Sequence, residues 1–146
     1  SNFRVMNMKN RGFTLLEIMA VVVILGILAT IVVIQVGDMI ERGKVEATNS
    51  QLSSIDEAIQ LFRANHSVLP DKLEDLITKP AYIQDDKYPK NGYLQGLPKD
   101  GWGRDFVYKP LGSDDYDVIS LGADGKPGGS GYDADLSIKN LKQRKK

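Results

Sequence analysis

The chain has 146 residues, 42% of them apolar, and its 19 Lys and Arg are balanced by 19 Asp and Glu. With a formal charge of zero nothing global points to nucleic acid, and the length suits one domain plus an anchor. With no cysteine, a disulfide frame and a thiol nucleophile are excluded, so any long loop needs another staple.

The first element is an apolar helix. From Ile18 to Ile34 every residue is apolar except Gly26 and Thr30. Phe13 to Val36 covers about 36 Å as a helix, more than a hydrocarbon core of about 30 Å. Arg4, Lys9 and Arg11 precede it and no acid does, which predicts a cytoplasmic N-terminus with the remainder crossing outward. A removed secretory signal would have a shorter apolar region and then a small-x-small site. Ala29-Thr30-Ile31 is a poor site, and the hydrophobicity runs past it. A retained membrane helix is expected. One acid, Glu17, lies near its start. A carboxylate at the centre of such a helix costs about 3 kcal/mol, so Glu17 needs a partner or a task.

The run Arg11-Gly12-Phe13-Thr14-Leu15-Leu16-Glu17 resembles the N-terminal signature of the type IV pilin superfamily. The resemblance implies that a prepilin peptidase cuts after Gly12, making residues 1–12 a leader and Phe13 a methylated N-terminus. It also implies that Glu17 attracts the Phe13 amine of a neighbouring subunit during assembly. Each charge is costly alone in a low dielectric and less costly paired, which favours one axial step between subunits.

After Gly37 the pattern changes. Val45, Thr48, Leu52, Ile55, Ile59 and Phe62 recur at steps of three and four, one stripe of a helix. Glu46, Asn49, Ser53, Asp56, Glu57, Gln60 and Arg63 fill the solvated face. With no proline from Phe13 to Leu69, one long helix is expected from about Phe13 to about Asn65. Gly26, Gly37 and Gly43 are its weak points, at up to about 1 kcal/mol each relative to alanine.

Leu69 to Ile77 reads as a short helix, with Pro70 in its first turn and acids near its start. Tyr82 to Gly101 reads mostly as loop. Phe106–Tyr108 and Tyr116–Ser120 are β-like runs joined through Gly112-Ser113-Asp114-Asp115, a hairpin signal. A long helix, a loop and antiparallel strands make an α+β fold. His66, the single histidine, reads as a surface residue with no nucleophile beside it, and Trp102 as a core or lid aromatic. Lys139, Lys142, Arg144, Lys145 and Lys146 read as a disordered, solvated tail.

The final loop, Leu121 to Asp135, is too glycine-rich for helix or strand and carries Asp124, Asp133 and Asp135. Calcium takes six to eight oxygens from carboxylates and carbonyls, and glycine exposes carbonyls cheaply. These acids are expected to close around one ion, with backbone oxygens of Leu121, Lys126 and Ser130 completing the shell. The spacing is not that of an EF-hand, because Lys126 and Gly128 fall where its third and fifth positions need oxygen side chains. A solvated Asp/Gly turn is the competing reading of the composition.

Asp100-Gly101-Trp102-Gly103, the Tyr116–Ser120 run and Leu121-Gly122-Ala123-Asp124-Gly125 resemble the C-terminal half of the major pseudopilins of the type II secretion system. There the last loop binds calcium in place of the disulfide of many pilins, which fits the missing cysteine. Gly101 departs from the proline usual before the family's Trp-Gly. The implied fold is pilin-like: a long helix, membrane-spanning over 13–36, packed on a small antiparallel sheet within a periplasmic domain over 37–146. The implied function is structural: a subunit stored in the inner membrane that polymerises into a periplasmic pseudopilus and drives export of folded proteins. The partners implied are other copies of the chain, minor pseudopilins, the inner-membrane assembly platform and the prepilin peptidase, with no nucleic acid. A surface pilin for adhesion, motility or DNA uptake would share the N-terminal signature and differ in the C-terminal half. A membrane-anchored enzyme would need a nucleophile–base or metal–histidine constellation, and the sequence offers none.

Overall fold

The computed structural model describes residues 12–144; residues 1–11, on which most of the expected leader falls, and Lys145 and Lys146 lie outside them. The chain forms two compact units, one through Met39 and one from Ile40. Helix α1 (Leu15–His66, 52 residues) begins in the first and ends in the second.

Thr14 starts α1. Its Oγ1 accepts the Glu17 N–H at 3.1 Å, satisfying one of the amides that a helix start leaves free. The helix then runs unbroken through Gly26, Gly37 and Gly43. Thr30 returns its hydroxyl to the Gly26 carbonyl at 3.0 Å, so the one polar side chain between Ile18 and Ile34 has an internal partner. The most apolar 18-residue window has a mean hydropathy of 2.9, and none of it is buried. At the other end Ser67 adopts φ 62° and its N–H reaches the Arg63 carbonyl at 2.8 Å, a left-handed stop.

In the second unit the predicted stripe forms the core. Thr48, Leu52, Ile55, Ile59 and Phe62 are fully buried, and Ala58 joins them. Val45 is only half-buried. They pack with Leu73, Leu76, Ile83, Phe106, Tyr116, Val118 and Ile138. Each large apolar side chain so buried contributes about 1.5–3 kcal/mol.

The sheet has three antiparallel strands in the order β1 (Val107–Pro110), β2 (Tyr116–Ser120), β3 (Leu136–Ser137). Val107 pairs with Ile119 and Pro110 with Tyr116, as the hairpin signal predicts. Along β2, Tyr116, Val118 and Ser120 face inward. Their period of two is what a half-buried strand requires. The third strand is too short to leave a periodicity in the sequence.

Three expectations are corrected. The short helix expected over Leu69–Ile77 is a 3-10 turn, Leu73–Leu76. The buried Asp75 carboxylate accepts the Asp71 and Lys72 amides and the Tyr82 hydroxyl, which holds the segment in a tight turn. His66 is buried, not on the surface. Its Nδ1 donates to Asp85 Oδ2 at 2.8 Å, and its Nε2 accepts the Tyr93 hydroxyl at 2.7 Å. The described part of the basic tail is ordered as helix α2 (Ile138–Arg144). Ile138 is buried, Lys139 Nζ meets Asp115 Oδ2 at 2.8 Å, and Lys142 Nζ lies 3.4 Å from Asp56 Oδ2.

Candidate functional site

The N-terminal candidates lie on the open face of the first unit. Gly12 and Phe13 precede α1, and Phe13 is 78% exposed. Among the described residues the Glu17 carboxylate has no ion-pair or hydrogen-bond partner. Its side chain shares a shallow hollow of the helix surface with Phe13, Ile18, Val21 and Val22. Thr14-x-x-Glu17 has the spacing of a helix-capping box, a signal that sequence reasoning passed over.

The final loop of the second unit is closed by its own backbone. Ala123 N–H donates to the Tyr132 carbonyl at 2.9 Å, and Asp133 N–H to the Ser130 carbonyl at 3.0 Å. A Cβ on Gly122 would lie 2.7 Å from the Asp133 and Ala134 carbonyls, so the two ends of the loop meet where only glycine fits. Asp124 is exposed, and its Oδ1 accepts the Lys126 amide at 3.0 Å. Asp133 is exposed. Asp135 is half-buried; its Oδ2 accepts the Gly128 amide at 3.1 Å, and its Oδ1 is buried without a partner. Leu121 is half-buried, and Lys126 and Ser130 are exposed.

Among the described residues no three of His, Cys, Asp and Glu gather as a metal centre. Any cation here would therefore rest on fewer carboxylates supplemented by carbonyls. The donor set is all oxygen, as a hard cation prefers, and the unpartnered Asp135 oxygen is a buried acceptor that the protein leaves open.

Asp100 fixes the turn from which Arg104 reaches this loop. It is 5% exposed, and it accepts the Trp102 and Arg104 amides on Oδ1 and the Ser120 hydroxyl on Oδ2. Trp102 Nε1 donates to Glu41 Oε2 at 3.0 Å, which ties the 100–104 turn to α1. Trp102 is thus half-buried with its polar edge used. Arg104 Nη1 donates to the Gly122 and Ala123 carbonyls, both at 3.0 Å.

Residues 35–139 match the family model described as type II secretion system (T2SS), protein G, and residues 7–33 match the prokaryotic N-terminal methylation motif. The chain belongs to the type II secretion system protein G family. It is 40% identical over 137 residues to the type II secretion system core protein G of Vibrio cholerae serotype O1, covering 91% of this chain and 94% of that one. To the core protein G of Pseudomonas aeruginosa it is 43% identical over 130 residues, covering 86% and 92%. The crystal structure of the major pseudopilin from the type 2 secretion system of enterohaemorrhagic Escherichia coli superposes with a TM-score of 0.57 at 25% identity, covering 73% of this chain and 94% of that one. As a protein G family member the chain is a structural pseudopilus subunit, not an enzyme.

Proposed function

We propose that this protein G family member is held in the inner membrane by α1, with its N-terminus cytoplasmic and the unit from Ile40 in the periplasm. A prepilin peptidase cuts after Gly12 and Phe13 becomes the methylated N-terminus. Subunits then polymerise through their apolar helices into a pseudopilus, with minor pseudopilins and an inner-membrane assembly platform as partners. Growth of that fibre drives folded proteins across the outer membrane.

The observation that carries this reading is the contrast along α1. Its most apolar window is wholly uncovered, whereas its C-terminal third is the core of a compact domain. An uncovered surface of that hydropathy requires lipid or other apolar helices around it. Glu17 is the one acid among those apolar residues, and a neighbour's Phe13 amine would be its partner in the fibre.

Calcium is part of the same proposal. Of Asp124, Asp133 and Asp135, one or two would hold it, with carbonyls such as those of Leu121, Lys126 and Ser130 completing the shell. A bound ion would supply charge to the loop and pin it without a disulfide.

A clean deletion tests the function. Exoproteins assayed in medium and periplasm should accumulate in the periplasm, while twitching motility and DNA uptake persist. Normal secretion with lost motility or uptake would make the chain a surface pilin instead.

A further inference from the structure

A cation from outside the final loop already contacts it. Arg104 lies outside the ligand set proposed above, yet its guanidinium reaches the residues that lead into Asp124. Its backbone is fixed first: Arg104 N–H donates to the buried Asp100 Oδ1 at 2.9 Å, and Asp100 N–H donates to the Arg104 carbonyl at 2.9 Å. From that anchored position one nitrogen, Nη1, donates to two successive carbonyls, Gly122 and Ala123, at 3.0 Å each. The side chain then passes against Gly125. Gly125 holds φ +68°, a backbone angle that favours glycine, and a Cβ there would stand 2.6 Å from Nε and 2.8 Å from Cζ, so a side chain at 125 would push the guanidinium aside.

Successive carbonyls turned to one point repel each other unless a positive group faces them. In a calcium loop the ion supplies that group. Here a permanently charged guanidinium supplies it for Gly122 and Ala123, through charge-assisted hydrogen bonds. The next residue, Asp124, sits within the turn that is closed by the Gly125 N–H donating to the Gly122 carbonyl at 3.3 Å. Arg104 does not pair with Asp124, whose Oδ1 accepts the Lys126 amide. The carboxylate is left available to a second cation.

We propose that Arg104 is a positioning residue for the metal loop: it holds the Gly122-Ala123-Asp124 turn in its folded form before calcium arrives. This rests on the calcium reading above. If the turn is already built, the ion does not have to order it on binding. If the turn opens, apparent affinity falls by the fraction of chains in the competent form.

The test uses the full chain in detergent, calcium alone as the probe, and the variants Arg104→Met and Arg104→Lys. In EDTA, the Ala123 and Gly125 amides of Arg104→Met should exchange about tenfold faster than in the wild type. Calcium should restore their protection, and calorimetry should give a Kd about tenfold weaker. Arg104→Lys, which keeps a charged donor, should recover part of both. Contributions to stability alone would lower the melting temperature equally with and without calcium, and would leave the Kd unchanged. Unaltered exchange in Arg104→Met, or tighter calcium binding through relief of repulsion, would overturn the proposal. A wild type that takes up no calcium would overturn the metal reading and the metal-positioning role with it. In that case the exchange in EDTA still reports whether Arg104 holds the turn.

Discussion

The Gly101 N–H donates to Thr48 Oγ1 at 2.8 Å, and the same hydroxyl donates to the Lys44 carbonyl at 2.7 Å. The 100–104 turn thereby lies directly on the backbone of α1: a Cβ on Gly101 would collide with the Lys44 carbonyl. The resemblance described above implies proline before Trp-Gly, and proline has no N–H for this bond. The departure at Gly101 therefore comes with a hydrogen bond that proline could not make.

Gly101→Ala is expected to destabilise the chain by about 2 kcal/mol, because the added methyl meets backbone that can only move by shifting the helix. Thr48→Val should cost about 1 kcal/mol through the lost bridge. Urea midpoints of the chain in detergent check both, and a silent Gly101→Ala would show that the turn does not bear on α1.

Acid should loosen the junction at the end of α1. The Asp85 carboxyl is held below its ordinary range, first by the His66 Nδ1–H and then by the Lys87 amide. A lowered folded value stabilises the fold above the unfolded pKa of about 3.9, and that stability is lost as pH falls through the folded value. Asp115 is lowered in the same way by Lys139. Denaturation midpoints measured from pH 6 to pH 2 should therefore fall less steeply in Asp85→Asn than in the wild type. Identical slopes would mean that the His66–Asp85 contact does not persist in solution.

The ordered C-terminal helix is expected to depend on packing more than on charge. Ile138→Ala should cost about 2–3 kcal/mol, as for a buried aliphatic truncation. Lys139→Ala, which breaks an exposed pair with Asp115, should cost far less than Ile138→Ala. The same urea series ranks them, and a larger loss from Lys139→Ala would reverse this account of the tail.

Calcium should raise the melting temperature of the wild type, and EDTA should remove the gain, because a ligand that binds only the folded chain stabilises it by mass action. Asp124→Ala should melt at the EDTA value whether or not calcium is present. Melts that are the same in millimolar calcium and in EDTA would remove the metal from the loop.

Much of the fold was legible because it rests on periodic patterns. The stripe from Thr48 to Phe62 and the alternation of Tyr116, Val118 and Ser120 are both written at the period of their element. The misses are contacts between residues distant in sequence. His66 reads as surface until Asp85 and Tyr93 close over it, 19 and 27 residues on. Lys139 and Lys142 read as a solvated run until Asp115 and Asp56 are seen opposite them. Asp100 sat inside a motif quoted for its resemblance, yet nothing local shows that it is buried with three donors around it. The N-terminal signature was legible as chemistry, since one acid in an apolar helix is conspicuous. The calcium reading of the final loop rests on composition and resemblance, because which oxygens converge depends on the fold of the turn.

The most direct measurement is fibre assembly in cells that carry the secretion machinery and prepilin peptidase. Sheared fibres and membranes would be compared for wild type and Glu17→Leu. Wild-type chain cleaved after Gly12 should be found in fibres. Glu17→Leu should insert in the membrane at the wild-type level and be missing from the fibres. Glu17→Leu found in fibres in wild-type amounts would contradict assembly through the apolar helix and its single acid.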